Sequence, residues 1–292
     1  MNNNVNGLLD HIAFDARFYT SSYNDLRHMT DREAADHFVR HGIVEGRQGH
    51  PRGSRPAFTD YIRTFGSVLE IGPFCNPTVR GDNIRYLDVF DENELRERAI
   101  RIGLDPSGCP ERIHYRGDIS DVTETFDAVV SSHSIEHQPD LIHHLKGVAR
   151  VLRTGGSYFL YVPDKRYCLD HFIPESSVAE VFQAHRERRT MHILRSVIEH
   201  TALNTHNDPS RHWAGSHDVE HGKDQAGRIA DAINLYDSSD GYIDVHAWYF
   251  TPHTFATIIT TLHDCGMSQL RLTEIYPTRH NEFEFFAVLT RD

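Results

Sequence analysis

The stretch Ser67-Val68-Leu69-Glu70-Ile71-Gly72-Pro73-Phe74-Cys75-Asn76-Pro77 decides the fold. Its apolar run, Val68–Ile71, is short and rich in β-branched residues, which is typical of a buried parallel strand. Gly72 ends the run, and a glycine there lets the backbone approach a ligand closely. A strand, a tight glycine turn and a nearby carboxylate are how open α/β sheets hold nucleotide-like ligands. The full G-x-G-x-x-G pattern is absent, so an ordinary buried strand with a Gly-Pro turn stays open as an alternative.

Four more short strands are predicted downstream, and two of them end in an acid. Ile84–Asp88 places a carboxylate at about the 20-residue spacing at which an acid binds ribose hydroxyls. Ile113–Ile119 contains the second acid, Asp118. Phe126–Ser132 and Gly156–Pro163 are the fourth and fifth predicted strands. The succession predicts βαβ units, and therefore a mainly parallel sheet.

In this order the five stretches resemble the class I S-adenosylmethionine-dependent methyltransferases, in an uncharacterised bacterial branch. The shared features are the Glu-x-Gly strand end, an acid after each of the next two strands, "FDAVV", and "VLRTGGSYFLYVPD". The resemblance is strong over residues 60–165 and extends to a last strand at Phe283–Leu289. It implies an α/β fold with a Rossmann-like, seven-stranded sheet, and S-adenosyl-L-methionine as cofactor.

The resemblance also implies where the cofactor binds. It places Glu70 and Gly72 at the amino-acid end, Asp88 at the ribose, and Asp118 with Ile119 at the adenine. The carboxylate of Asp88 suits a diol because it can accept from both hydroxyls. The full set of predicted cofactor-binding residues is Glu70, Gly72, Pro73, Asp88, Val89, Asp118, Ile119 and Ser132. The alternative for each strand-end acid is a carboxylate that caps a helix.

The string His133-x-x-Glu136-His137 allows two interpretations. It matches H-x-x-E-H of inverted zinc proteases, which needs both histidines on one helix. Here the string leaves a buried strand and meets Pro139, which disfavours a helix through it. In methyltransferases this position faces the transferred methyl group, so His133 is predicted to orient or deprotonate the acceptor. In a further alternative, Glu136 and His137 only build the turn.

The predicted catalytic residues are His133, His137, Asp164 and His246. Asp164 follows the fifth strand, and His246 lies where the chain returns to the site. His212, His217 and His221 stand close together in sequence and leave metal binding open, but no metal ligand is assigned.

Composition narrows the class of protein. The 292 residues carry a formal charge of -12, which disfavours a nucleic-acid partner. No apolar run is long enough to span a bilayer, and the first residues do not begin a signal peptide. The four cysteines are scattered without a C-x-x-C, which predicts reduced thiols and a cytoplasmic protein. The 22 histidines are unusual.

We predict four segments: an N-terminal helical module with its linker (1–56), the cofactor-binding core (57–164), a substrate cap inserted after the fifth strand (165–250), and the closing helix and strands (251–292). The first segment resembles a module found beside bacterial glycosyltransferase domains, and its aromatic residues are expected to form a small core. The predicted activity is O-methylation of a sugar or glycan-related small molecule. The alternatives are a zinc-dependent hydrolase and a non-catalytic glycan-binding or scaffold protein. The sequence does not predict the oligomeric state.

Overall fold

Seven strands form one mixed sheet in the computed structural model, which describes residues 10–218 and 224–292. The strands are β1 (Val68–Ile71), β2 (Ile84–Asp88), β3 (Tyr115–Arg116), β4 (Phe126–Ser132), β5 (Leu152–Pro163), β6 (Leu270–Tyr276) and β7 (Glu284–Arg291). Their order is β3-β2-β1-β4-β5-β7-β6. β1 to β5 are parallel, and β7 is antiparallel to both of its neighbours. The predicted α/β, Rossmann-like sheet is confirmed.

Helices cover both faces of the sheet. They are α1 (Ala16–Ser22), α2 (Asp31–His37), α3 (Arg55–Ile62), α4 (Glu92–Arg101), α5 (Leu141–Val151), α6 (Val178–Glu187), α7 (Leu194–Ala202), α8 (Pro209–Trp213), α9 (Gln225–Ser238) and α10 (Pro252–Asp264). The apolar stripes of α5, α6 and α10 pack on one face, as their buried residues show. On the other face α3 buries Phe58 and Ile62. Each face thus has its own apolar core.

The central strand β1 explains why the site lies where it does. All four of its residues are buried, and it pairs with β2 on one side and β4 on the other. The chain moves outward from β1 to β2 and β3, then crosses back to β4. Such a reversal opens a crevice at the carboxyl ends of the strands, where open α/β sheets bind ligands.

A long insertion connects β5 to α10, at the place predicted for the cap. It contains the helices α6, α7, α8 and α9. The ends of the insertion meet, because Asp164 bridges Phe250 and the Lys165 N–H donates to the Phe250 carbonyl at 2.9 Å. The cap therefore begins and ends at the same place beside the sheet, which we call its base.

The N-terminal segment packs on the outer edge of the sheet. Ile12 bridges Ile275 of β6, and the aromatic rings of Phe14, Tyr19 and Phe38 contact one another. Tyr19 and Phe38 are fully buried in this cluster. The predicted small aromatic core is confirmed.

Three local predictions are wrong. β3 covers only Tyr115–Arg116, because Asp118 and Ile119 turn into a short 3-10 helix. β5 begins directly after Val151, four residues before the predicted start at Gly156. The linker predicted to end the first segment at residue 56 ends earlier, since Arg55 opens α3.

The expectation of four reduced thiols is also wrong, because Cys75 and Cys109 form a disulfide. The loop after β1 and the loop after α4 pack together in one small apolar cluster. Gly108 permits this approach, since a Cβ at that position would lie 2.2 Å from the Cys75 carbonyl oxygen. The pairing is invisible in the sequence because 34 positions separate the two cysteines.

None of the helices in the described ranges is long and apolar enough to cross a membrane.

Candidate active site

A cavity of about 420 Å³ opens at the carboxyl ends of β1, β2 and β4. This volume lies within the range of small-molecule sites. The strand ends and their turns form one wall, and Thr190, Tyr242 and Asp244 of the cap contribute to the opposite wall. His144, at the cavity wall, is buried and hydrogen-bonded to the Tyr158 hydroxyl at 3.0 Å. Burial lowers the pKa of His144 to about 4, so this ring is neutral at pH 7.

The glycine turn after β1 is narrow. Gly72 has a φ of 69°, and a Cβ there would lie 3.0 Å from the Ser134 hydroxyl oxygen. Only glycine suits both the positive φ and the close approach. Phe74 and His133 also have positive φ, at 41° and 49°, and both line the cavity. Strained backbone of this kind clusters at functional sites.

The Glu70 side chain does not line the cavity but binds the loop that follows the glycine turn. Its carboxylate accepts from the Thr78 and Val79 N–H groups at 2.6 and 3.1 Å. Burial raises its pKa to about 7 against the opposing effect of those two donors. Glu70 therefore fixes the loop that follows β1, and with it the position of Gly72.

Asp88 ends β2 and lines the cavity with its neighbour Val89. The carboxylate of Asp88 is buried and accepts from the Phe90 N–H at 3.1 Å. Burial raises its pKa to about 6 despite the backbone donors and the nearby charge of Arg98. It does not cap a helix, since the following α4 is capped by Asp91.

Asp118 and Ile119 line the next part of the wall. The Asp118 side chain caps its own short helix by accepting from the Ser120 N–H at 2.9 Å, and it pairs with His143 at 3.0 Å. Asp118 thus performs the capping role that was the alternative, while it also faces the cavity.

His133 stands at the carboxyl end of β4, where it lines the cavity. Its Nε2 donates to Glu284 at 2.8 Å, and Glu284 also accepts from Arg55 at 2.7 Å. Burial acts to raise the pKa of Glu284, but His133 and Arg55 hold it below its usual value. An ionised Glu284 fixes the hydrogen on Nε2, which leaves the Nδ1 lone pair available as a base.

His137 lines the same wall as His133, one turn further along. Its Nδ1 lies 3.2 Å from Asp244, which also pairs with Arg98 of α4 at 2.5 Å. Burial acts to raise the pKa of Asp244, but His137 and Arg98 lower it. Asp244 therefore links the cap to the core across the cavity.

Five of the predicted cofactor residues line the cavity, and so do two of the predicted catalytic residues: Gly72, Asp88, Val89, Asp118 and Ile119, with His133 and His137. Glu70, Pro73 and Ser132 lie behind this wall, and Ser132 accepts from Arg55 at 2.7 Å. Asp164 is fully buried and held by Arg166 at 2.6 Å and Thr278 at 2.7 Å. His246 lies beside Glu136, with its Nδ1 bonded to Asp170 at 2.7 Å.

His212 and His217, for which the sequence left metal binding open, lie next to each other in the structure. His212 Nδ1 and His217 Nδ1 are 2.9 Å apart, and His212 Nε2 donates to the His206 carbonyl at 3.0 Å. His221 lies outside the described residues.

Sequence reasoning missed several residues of the site: Phe74, Arg98, Ser134, Tyr242, Asp244 and Glu284. Asp244 was not assigned, although His246, two positions later, was predicted to lie where the chain returns to the site. Glu284 carries a detectable signal, because an acid at the first position of an otherwise apolar strand is unusual. Its partner His133 is 151 positions away, so only the fold pairs them.

Comparisons with known proteins find similarity to methyltransferases. A family model described as a methyltransferase domain matches residues 97–160, from α4 into β5. The mitochondrial ubiquinone biosynthesis O-methyltransferase of Homo sapiens is 30% identical over 149 residues. That match covers 49% of this chain and 38% of the human protein.

Two solved structures are similar at low identity. An S-adenosylmethionine-dependent methyltransferase from Clostridium acetobutylicum is 12% identical, with 82% of this chain and 92% of that chain covered and a TM-score of 0.41. Another from Mesorhizobium loti is 14% identical, with 82% and 99% covered and a TM-score of 0.39. The family match and the curated relative, taken with the Rossmann-like sheet described above, support a methyltransferase domain in this part of the chain.

Proposed function

We propose that this protein transfers a methyl group from S-adenosylmethionine to a hydroxyl of a sugar or glycan-related small molecule. One observation carries the proposal: a single cavity joins the buried Asp88 to the His133–Glu284 pair. Asp88 suits a ribose diol, and the His133 pair suits a group that gives up a proton. The two requirements of the reaction are thus met at one sheet edge.

The residues of the cavity fit the cofactor. The turn at Gly72 leaves its backbone free of a side chain where the amino-acid end would lie, and Asp88, with a pKa near 6, is ionised at pH 7. When bound, S-adenosylmethionine supplies the electrophilic methyl group and its own leaving group. The chain itself must hold the acceptor in line and exclude water.

His133 is the residue that we assign to the acceptor proton. Its Nδ1 is the basic nitrogen, because Nε2 is engaged by Glu284. As an acceptor oxygen attacks, Nδ1 accepts the hydroxyl proton, and Glu284 stabilises the resulting imidazolium. Arg55 holds Glu284 from the other side, so the pair stays fixed.

The choice of acceptor rests on two weaker supports. One is the resemblance of the N-terminal module to modules that accompany glycosyltransferase domains. The other is that the curated relative is named as an O-methyltransferase. A zinc-dependent hydrolase is disfavoured because the His133-x-x-Glu136-His137 string is a strand end and a 3-10 turn, not a helix.

Calorimetry with S-adenosylhomocysteine tests the cofactor, with NAD as the control ligand. We expect binding of S-adenosylhomocysteine and a rise in melting temperature, and neither effect with NAD. Transfer of labelled methyl groups to a panel of monosaccharides and nucleotide sugars then tests the acceptor. Absence of S-adenosylhomocysteine binding would leave the non-catalytic alternative.

A further inference from the structure

The carboxylate of Glu136 is buried without a partner. Its side chain is 0% exposed, and within the described ranges neither carboxylate oxygen has a hydrogen-bond partner. A buried carboxylate is costly to a folded protein unless a cation or a donor compensates it. Glu136 therefore requires a compensating group that the neighbouring side chains do not provide as hydrogen bonds.

Three imidazole nitrogens surround one oxygen of this carboxylate. His137 Nε2, His133 Nδ1 and His246 Nε2 lie 3.8, 3.9 and 4.0 Å from Glu136 Oε1. These distances are too long for hydrogen bonds. They match ligands that share an ion, since two atoms each about 2.1 Å from one metal are at most about 4.2 Å apart.

In His137 and His246, the ring nitrogen that points away from Glu136 faces another carboxylate. His246 Nδ1 bonds to Asp170 at 2.7 Å, and His137 Nδ1 lies 3.2 Å from Asp244. Because an ionised carboxylate only accepts, the hydrogen of His246 is on Nδ1, and its Nε2 lone pair faces Glu136. A carboxylate behind the imidazole is the usual support of a metal-binding histidine.

The backbone fixes this arrangement. The Glu136 carbonyl accepts from the N–H groups of both Ala247 and Trp248, at 2.7 and 3.1 Å. These bonds hold the returning segment of the cap against the turn after β4. His246 is thereby kept next to Glu136, although the two residues are far apart in sequence.

We propose that Glu136, His137 and His246 bind a divalent ion of the first transition row. Their ligand atoms all lie within 4.8 Å of one another, so side-chain shifts of a few tenths of an ångström bring them into the range of one ion. Two imidazoles and one carboxylate leave coordination positions open, as in non-haem iron and catalytic zinc sites. His137 also lines the cavity, so these positions face the acceptor side. On the proposed function, the ion binds an acceptor oxygen and lowers the pKa of its hydroxyl.

Cobalt(II) is the probe for the test, because its visible absorption reports nitrogen and oxygen ligands. The full chain is stripped with a chelator, exchanged into clean buffer and titrated with cobalt(II). We expect one equivalent to bind to these residues, with a rise in melting temperature. Glu136→Gln and His246→Ala should each weaken this binding by at least about 100-fold, and Asp170→Asn by about 10- to 100-fold.

Two variants serve as controls for the location. His217→Ala removes a histidine of the separate His171–His212–His217 group and should leave the binding intact. His200→Ala removes a residue of the adjoining Asp170–His200–His246 group and should also leave it intact. Glu136→Gln keeps the shape of the side chain and removes a buried charge, so without cobalt it should melt no lower than the wild type.

The proposal fails if the wild type does not bind cobalt(II), or if binding survives both Glu136→Gln and His246→Ala. It also fails if His200→Ala or His217→Ala alone abolishes binding. S-adenosylhomocysteine affinity, measured on the same variants, separates this result from the proposed function. Unchanged affinity in Glu136→Gln, with cobalt binding lost, supports a metal site distinct from the cofactor site.

Discussion

The two walls of the cavity are built in different ways. The wall assigned to the cofactor comes from consecutive strand ends, with one acid after β2 and another after β3. The wall assigned to the acceptor gathers His133 and His137 from the turn after β4 and Asp244 from the cap, and Glu284 of the last strand supports His133 from behind. The acids of the first wall come from neighbouring strands, whereas the second wall depends on pairs such as His133–Glu284 and His137–Asp244, which join distant segments. The strand ends alone position the residues of the first wall. The residues of the second wall come from distant segments, so ion pairs must hold them in place.

The largest expected effect concerns the acceptor wall. His133→Ala should lower turnover by about 10²–10⁴-fold, because a positioned base contributes that much to proton removal. Affinity for S-adenosylhomocysteine should stay within about threefold, or roughly 0.7 kcal/mol. Single-turnover kinetics and calorimetry measure the two quantities. Full activity in this variant would move the base to another residue.

Glu284→Gln separates the orienting carboxylate from the base itself. The variant keeps the shape but removes the charge that holds Nε2–H, so we expect a loss of kcat smaller than that of His133→Ala. The KM for the cofactor should not change, since Glu284 does not line the cavity. An equal rise in that KM would show that the two walls are not independent.

The next effect concerns the cofactor wall. Asp88→Ala should weaken S-adenosylhomocysteine binding by about 1–3 kcal/mol, the cost of leaving a polar partner unpaired. Asp127→Ala is the matched control, because Asp127 opens β4 at the opposite end of the sheet and pairs with Arg153. Wild-type affinity in Asp88→Ala would remove the assignment to the ribose.

The pH dependence of binding follows from the same residue. Because burial raises the pKa of Asp88 to about 6, its carboxylate becomes protonated as the pH falls through that value. S-adenosylhomocysteine affinity should therefore decrease below about pH 6, and this decrease should be smaller in Asp88→Asn, where Glu70, with a pKa of about 7, still titrates near the site. Arg98 and Tyr242 interact electrostatically with Asp88, and burial raises the pKa of Tyr242 further above this range. Calorimetry from pH 5 to 8 measures the effect.

The raised pKa of Asp88 has the opposite effect on the stability of the ligand-free protein: here a lower pH is favourable. The folded chain binds the Asp88 proton more tightly than the unfolded chain, so this group favours folding more as the pH falls from about 6 towards 3.8. Denaturant titration at several pH values, compared between wild type and Asp88→Asn, isolates the contribution. A contribution that grew with rising pH would contradict the burial of this carboxylate.

The smallest expected effect is a difference in protection. Hydrogen exchange should be faster in the cap, residues 165–250, than in the sheet, because the apolar cluster within the cap is small. Addition of an acceptor should slow exchange there more than in β1 and β4. Core-like protection of the free cap would mean that both walls are equally rigid.

The sequence was sufficient to predict the wall assigned to the cofactor, but not the wall assigned to the acceptor. Val68–Ile71 is buried on both faces, so its composition alone predicts a central strand, and Asp88 follows at the expected spacing. Asp244 and Glu284 could not be assigned, because their roles depend on partners in other segments. The disulfide between Cys75 and Cys109 was missed for the same reason. Asp118 shows the limit of local pattern, since one carboxylate both caps a turn and faces the cavity.

The meeting of Asp164 with Phe250 has a consequence for how this protein can diversify. An insertion whose two ends are hydrogen-bonded to each other does not pull on the strands that flank it. Its length can change at small cost, because the entropy of closing a loop grows only with the logarithm of its length. Exchange of the whole segment at this base would replace Tyr242 and Asp244 of the cavity wall and keep the strand ends on its other side. Recombination at this base therefore exchanges one side of the cavity and keeps the other.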